Sequence, residues 1–304
     1  MMNEIVEKQV LAERVTLLAF RAPEIAAKAQ AGQFVIVRVH EEGERIPLTI
    51  ADFNRAAGTI TIVLLELGRT TRLLAALEVG DSIQDVAGPL GHPSRVEKVG
   101  TVVCIGGGVG IAAVFPVARE FKAAGNRVLS IIGARSGSLL FWEDRMREVS
   151  NELIVTTDDG SLGAKGLVTE RLGELIAAGQ PIDLVFAVGP AVMMRAVAES
   201  TRPHGIRTVV SLNPIMLDGT GMCGGCRVDV AGQRRFACVD GPEFDAHQVN
   251  FDLLLSRLRA FREEESRSLE TASGKEPCAC RSAAGRIAER KDELAAKTQR
   301  TQVS

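Results

Sequence analysis

Short runs of alternating apolar and polar residues mark the first third of the chain. Residues 33–39 (QFVIVRV) and 59–64 (TITIVL) read as strands, and 80–86 as a turn entering a third. Short strands at close spacing predict a small barrel over residues 1–97. The period then changes. Residues 100–105 form an uninterrupted apolar run, as in a strand buried on both faces, and 109–124 follow with a helical period. A second strand and helix are expected at 127–132 and 138–149, and a third pair at 153–156 and 166–178. Strand 184–188, helix 191–200 and strand 208–212 complete the series. Alternation of this kind predicts a parallel sheet with crossover helices over residues 98–212. Residues 213–250 break the rhythm with glycines and three cysteines. About 251–266 reads as one amphipathic helix, and the polar remainder of 251–304 as a flexible tail. No internal repeat is present.

The chain has 304 residues and 46% apolar side chains, enough for two compact domains and a small module. A formal net charge of −2 offers no broad basic field for nucleic acid. The first eight residues, MMNEIVEK, contain no apolar signal core, so export is not expected and a cytoplasmic location is. Residues 99–118 are twenty positions without a charge, long enough to span a membrane. Gly100, Gly106, Gly107, Gly108, Gly110 and Pro116 within them, after a β-branched start, fit strand, turn and helix instead, so no membrane span is expected.

The six cysteines are Cys104, Cys223, Cys226, Cys238, Cys278 and Cys280. Clustered thiols in a chain without an export signal favour metal over disulfides. Asp218, Cys223, Cys226 and Cys238 follow the spacing Asp-x4-Cys-x2-Cys-x11-Cys. The plant-type 2Fe–2S pattern is Cys-x4-Cys-x2-Cys with a distant fourth Cys, so three positions match and Asp218 stands at the first. Such a loop wraps one cluster with its thiolates converging, and its glycines let backbone N–H groups approach the sulfur atoms. A carboxylate is a harder ligand than thiolate but can complete the set. A zinc site and inert core cysteines are the alternatives for the loop, and an ordinary Asp-Gly turn is the alternative for Asp218. Cys104, inside a strand, reads as a small buried hydrophobe.

Gly106, Gly107, Gly108, Val109 and Gly110 lie between the first parallel strand and its helix. Such a turn lets a pyrophosphate meet bare N–H groups at a helix N-terminus. Arg135 and Ser136 follow the second strand and are candidates for a ribose or its 2′-phosphate. Gly189 and Pro190 follow the strand at 184–188, at the same sheet edge. No acidic residue directly follows the second strand, which leaves NAD(H) and NADP(H) both open.

Within the barrel segment, Arg45-Ile46-Pro47-Leu48-Thr49 precedes Gly68-Arg69-Thr70-Thr71. Alone these read as a strand with an Arg and a Gly/Thr loop. In the order barrel, Arg-x-Pro-Leu-Thr, Gly-x-Thr-Thr, glycine turn and cysteine loop, residues 1–265 resemble the ferredoxin–NADP reductase superfamily. The resemblance extends to the electron-transfer subunit of dihydroorotate dehydrogenase. It is closer still to the small (alpha) subunit of NADH-dependent ferredoxin:NADP oxidoreductase, also described as a sulfide dehydrogenase subunit. The cysteine loop and its continuation over 237–244 (ACVDGPEF) are the most specific parts.

The resemblance implies a β-barrel FAD domain, an α/β parallel-sheet nucleotide domain and a small C-terminal 2Fe–2S module. It implies that Arg45, Pro47, Leu48 and Thr49 lie along FAD, with the Thr49 hydroxyl near flavin N5. Val63, Leu64 and Leu65 would line the cofactor through backbone contacts, and Gly68, Thr70 and Thr71 would hold its pyrophosphate. Many superfamily members stack a Tyr on the flavin; this chain has none, and Leu48 would take that place. The dihydroorotate-type subunits generally use four cysteines, so Asp218 favours the transhydrogenase type.

The function expected is a NAD(P)H oxidoreductase subunit containing FAD and a 2Fe–2S cluster. It would relay electrons to a larger flavoprotein/iron–sulfur subunit in a heterodimer, reaching ferredoxin through that subunit, with electron bifurcation. No side-chain acid or base is needed, because the cofactors carry the chemistry. A dihydroorotate dehydrogenase electron-transfer subunit is the alternative within this class. A non-catalytic module binding metal and nucleotide is the alternative outside it. Cys278 and Cys280 have no counterpart in the family pattern.

Overall fold

The computed structural model describes the backbone of residues 3–274 and the side chains of residues 3–269. Residues up to Phe261 form one compact unit. Its first part contains β1 (Ile5–Ala12), β2 (Val15–Arg21), α1 (Pro23–Lys28), β3 (Phe34–Arg38), β4 (Arg45–Thr49), β5 (Asp52–Asn54), β6 (Thr59–Leu65), α2 (Arg69–Ala75) and β7 (Asp85–Leu90). Two antiparallel sheets, ordered β1-β2-β6-β5 and β4-β3-β7, enclose a common core. Leu18, Phe20, Val35, Val37, Ile60, Ile62 and Leu64 fill it, as alternation along each strand requires. The turn expected at 80–86 leads into the third strand, which begins at Asp85. The residues before it are tied to the N-terminus: Ile83 donates its N–H to Asn3 O at 3.0 Å, and Ser82 bridges Glu4.

The second part contains β8 (Thr101–Gly107), α3 (Gly110–Ala123), β9 (Arg127–Ala134), α4 (Glu143–Glu148), β10 (Glu152–Thr157), β11 (Ala164–Lys165), α5 (Val168–Ala177), β12 (Leu184–Val188), α6 (Ala191–Thr201) and β13 (Thr208–Ser211). The third contains β14 (Arg227–Val230), β15 (Gln233–Phe236), α7 (Ala237–Asp240), β16 (Glu243–Asp245) and α8 (Phe251–Leu258). The large sheet runs β11-β10-β9-β8-β12-β13-β16. Its strands are parallel except β16, which pairs antiparallel with β13. The cysteine-bearing segment therefore contributes an edge strand to the nucleotide-type sheet, which the sequence pattern did not show.

The helix expected at 138–149 is only Glu143–Glu148. Trp142 takes a left-handed φ of 58°, which L residues adopt at a cost, and Leu140 is extended. Trp142 is held there by Phe115 and Phe141, with ring centroids 5.3 and 5.8 Å away.

Barrel and sheet share a core. Val15, Leu17, Ala51 and Val63 cluster with Ile111, Val114, Phe115 and Ala118 of α3. At the rim of this seam the Asp52 carboxylate accepts from Arg119 Nη1 at 2.8 Å and from Arg145 Nη2 at 2.5 Å.

The helix expected over about 251–266 ends at Leu258. A separate helix, α9 (Arg262–Gly274), begins the second unit and carries into the stretch expected as a tail. The rest of that stretch, with Cys278 and Cys280, lies outside the described residues. No described helix is long and apolar enough to cross a membrane.

Candidate functional site

Three turns meet at the carboxyl ends of the parallel strands. Strand register pairs Gly107 with Gly133 and Gly106 with Val188, so the segments after β8, β9 and β12 lie side by side. Gly108 has a φ of +56°, and its N–H donates to Gly133 O at 2.8 Å. A Cβ at Gly110 would sit 2.3 Å from Val188 O, so only glycine lets α3 start this close to β12. A Cβ at Gly108 would meet nothing within 4 Å, which leaves that face of the turn open for a phosphate before the fourteen-residue α3. Val109 is 36% exposed at the same mouth.

Gly107 and Gly189 are also required by packing. Cβ atoms there would lie 2.4 Å from Met193 Sδ and 2.8 Å from Met193 Cε, so the thioether fills the space both glycines leave. Pro190 caps α6 beside them.

Arg135 is exposed after β9, and Ser136 Oγ lies 3.0 Å from Ser138 Oγ. The sequence reading missed two neighbours. The Asp158 and Asp159 N–H groups donate to Ala134 O and Arg135 O at 3.1 and 3.2 Å, which brings the Asp158–Asp159 segment beside Arg135. Hydrogen bonds from the Ser161 hydroxyl and N–H hold the Asp159 carboxyl below its ordinary pKa. Only a strand register could reveal this, because these residues are more than twenty positions away in sequence.

The proposed flavin strip is β4. It lies at the edge of its sheet, where Pro47 needs no N–H partner. Register places Arg45, Pro47 and Thr49 opposite Arg38, Ile36 and Phe34, so these six share the outer face. Ile46 and Leu48 stand opposite Val37 and Val35 and pack, half-buried, on the barrel core. On β6, β5 covers only Thr59–Thr61, so the edge over Val63, Leu64 and Leu65 has no strand beside it on that side. Side chains of Val63 and Leu65 pack into the seam with α3, and Leu64 into the barrel.

Gly68 caps α2, and the Thr71 Oγ1 accepts its N–H at 3.0 Å. The buried Thr70 hydroxyl donates to Glu44 Oε2 at 2.7 Å. That bond joins α2 to the residue before β4, a role for Glu44 that no motif signalled.

The cysteine loop packs on the same outer barrel face. Gly219, at φ +75°, lies so close that a Cβ would come 2.6 Å from Leu90 Cδ1 and 2.8 Å from Ile36 Cγ1. Ile36 is the residue opposite Pro47. The loop therefore lies over β3, the strand next to β4. Cys226 and Cys238 are buried, with Sγ atoms 3.2 Å apart, while Cys223 is exposed. Asp218 Oδ1 accepts from Thr220 N at 2.9 Å, and Oδ2 from Cys223 N at 2.7 Å. The Thr220 bond, reinforced by Cys223, pulls the Asp218 carboxyl below its ordinary pKa. Burial, with the Cys226 thiol adjacent, pushes the Cys238 thiol up to about 12.

Among the described residues, no three His, Cys, Asp or Glu side chains stand in metal-holding positions. The donor set nonetheless fits an iron–sulfur cluster. Two thiols and an ionised carboxylate share one loop, the Cys238 thiol of α7 reaches it beside Cys226, and backbone N–H groups already aim at sulfur: Gly225 N at Cys223 Sγ (3.4 Å) and Cys238 N at Cys226 Sγ (3.5 Å). Cys104, by contrast, is wholly buried in β8. Desolvation pushes its thiol to about 12, which fits the expected inert core role.

Residues 213–250 match the family model for the iron–sulfur cluster binding domain of dihydroorotate dehydrogenase B. A Thermotoga maritima protein described as a homolog of the dihydroorotate dehydrogenase B (NAD(+)) electron transfer subunit is 48% identical over 269 residues. The match covers 88% of this chain and 95% of that protein. The corresponding subunit of Geobacillus thermodenitrificans is 31% identical over 254 residues, 81% of this chain and 96% of that subunit. A chain solved in a study of flavin-based electron bifurcation by NADH-dependent reduced ferredoxin-NADP oxidoreductase superposes with a TM-score of 0.85. It is 47% identical, over 89% of this chain and 98% of its own. Phthalate dioxygenase reductase, at 16% identity and a TM-score of 0.56 over 75% of this chain and 85% of its own, shares the fold.

Proposed function

We propose a detailed electron-transfer role from one premise: this chain belongs to the family of electron-transfer subunits represented by that of dihydroorotate dehydrogenase B, built on the ferredoxin–NADP reductase fold. In this reading the chain takes electrons from NAD(P)H and passes them to a larger flavoprotein/iron–sulfur subunit, and through it to ferredoxin. The type is the bifurcating NADH-dependent ferredoxin:NADP oxidoreductase. Asp218 in place of a fourth Cys supports that type, and so does the 47% identity to a chain of that enzyme. Dihydroorotate oxidation by the partner is the second reading, supported by the names of the other relatives.

One observation carries the proposal. The cysteine loop rests on Ile36 and Leu90, directly beside Pro47 of β4. A flavin along β4 and a cluster in that loop would be separated by little more than one strand. Bound there, FAD supplies the conversion between a hydride and single electrons, and the 2Fe–2S cluster a one-electron path onward.

The residues have distinct tasks. Arg45, Pro47 and Thr49 would present the outer face of β4 to the flavin, Thr49 offering a hydroxyl near N5, while Leu48, whose side chain packs on the barrel core, would contribute through its backbone rather than by stacking on the ring. Val63, Leu64 and Leu65 would offer the open backbone edge of β6, and Gly68, Thr70 and Thr71 the start of α2 for the pyrophosphate. Gly106, Gly107, Gly108, Val109 and Gly110 would receive the nicotinamide cofactor's pyrophosphate, with Arg135 and Ser136 at its ribose and Gly189 and Pro190 bordering the pocket. Asp218, Cys223, Cys226 and Cys238 would hold the cluster. Asp218 holds two loop N–H groups in place and stays ionised at neutral pH.

Iron, acid-labile sulfide, zinc and FAD analysis of anaerobically purified protein tests the reading. Two irons, two sulfides and one FAD per chain are expected, on the order set by a single cluster and flavin. Zinc without sulfide or flavin would refute it in favour of a metal-stabilised nucleotide-binding module.

A further inference from the structure

Two arginines grip the peptides between Cys223 and Cys226. Arg227, at the start of β14, donates from Nη1 to Gly224 O at 3.0 Å. Arg257, from the last turn of α8, donates from Nη2 to Gly225 O at 3.0 Å. No sequence motif marks either residue, and Arg257 is thirty-two positions from the carbonyl it reaches.

A trans peptide points its C=O and N–H in opposite directions. With Gly224 O held by Arg227, the N–H of Gly225 faces the other way, and there it meets Cys223 Sγ at 3.4 Å. With Gly225 O held by Arg257, the N–H of Cys226 is likewise turned to the opposite side. The guanidinium pair thus sets the direction of consecutive N–H groups in the cysteine loop. Arg257 does so from a fixed base. Phe251 and Leu254 anchor α8 in the core, and the Asn250 side chain caps it by accepting Leu253 N at 3.0 Å.

The pair also carries charge. Among the described residues neither guanidinium forms an ion pair with a carboxylate. Two positive charges stand against the loop. Arg257 sits close enough to Arg227 that burial and this neighbour together lower its pKa.

We propose that Arg257, with Arg227 as its second member, is a positioning residue that orients the cysteine-loop peptides and raises the reduction potential of the group held there. The inference rests on the iron–sulfur reading of the loop. Reduction adds one electron, delivered from the pyridine nucleotide or in vitro from dithionite, and so one unit of negative charge to the site. A neighbouring cation favours the more negative state.

The test is an EPR-monitored redox titration of the full-length holoprotein, comparing wild type with Arg257→Gln and Arg257→Lys. Arg257→Gln is expected to make reduction about tenfold less favourable, a shift of about 59 mV to lower potential for one electron. Arg257→Lys keeps the charge and is expected to stay near the wild-type value. A purely structural role for Arg257 would reduce cluster content without moving the potential. EPR reads only loaded molecules, so partial loss of the cluster does not obscure the result, and Arg227→Gln provides a second variant with the same expected direction. An unchanged potential in both Gln variants would overturn the proposal. So would an equal drop in Arg257→Gln and Arg257→Lys. Metal and sulfide analysis of the same samples separates this from a wild-type chain holding zinc, which would overturn the iron–sulfur reading itself.

Discussion

Replacing Glu243 with Gln removes an ionisation penalty from the junction of three parts of the fold. Glu243 opens β16, accepts a short hydrogen bond from the Ser94 hydroxyl in the segment between β7 and β8, and lies over the Gly32 turn of the barrel. Burial raises its carboxyl from 4.5 to about 7, against the smaller opposing effect of Ser94. The sign follows from proton binding. Between those two values the native chain holds the proton and the unfolded chain has lost it, so stability falls as pH rises through that window. At roughly 1.4 kcal/mol per pH unit, the full penalty above pH 7 is about 3 kcal/mol. Gln keeps a polar amide for Ser94 and cannot ionise. Urea unfolding of the holoprotein and its Glu243→Gln variant at about pH 5 and about pH 8 measures the difference. The variant should gain up to about 3 kcal/mol on wild type at the higher pH and little at the lower. Parallel pH dependences in the two proteins would refute the reasoning, because Glu243 would then titrate alike folded and unfolded.

The two glycines of the nucleotide turn should fail in different ways. Gly110→Ala drives a Cβ into the backbone of Val188 and should cost about 1–3 kcal/mol in thermal or urea unfolding. Gly108→Ala meets open space and pays only for its left-handed φ, about 1 kcal/mol, yet it fills the mouth of the turn, so NADH affinity by fluorescence titration should fall with the fold intact. Asp218→Ala leaves Thr220 N and Cys223 N without their acceptor and removes the proposed fourth ligand. Iron retention against a chelator should drop by at least about tenfold while FAD content holds.

What the sequence revealed depended on distance along the chain. The parallel strands were legible because burial on both faces leaves continuous apolar runs, as in Val102–Ile105, closed by glycine. The cysteine loop and the glycine turn were legible because their chemistry lies in consecutive residues. β16 was not, since three residues carry no period and its pairing with β13 is set by tertiary packing. Trp142 broke the expected helix through aromatic contacts from Phe115 and Phe141, which propensity does not encode. The residues that tie the site together were equally hidden. Glu44 reaches Thr70 from twenty-six positions away, Ser94 and Glu243 are 149 apart, and Asp159 approaches Arg135 only through strand register. At Gly107 and Gly189 a second demand for glycine was hidden, since both make room for Met193.

The central claim is that electrons pass from a pyridine nucleotide through a flavin to the cysteine-loop cluster. The visible spectrum of anaerobically purified protein, titrated with NADH and in a fresh sample with NADPH, tests it most directly. The account predicts flavin bleaching together with loss of iron–sulfur absorbance on NADH addition. A protein that stays colourless and zinc-bound after cofactor reconstitution, or one whose flavin bleaches while the cluster absorbance persists, would contradict it.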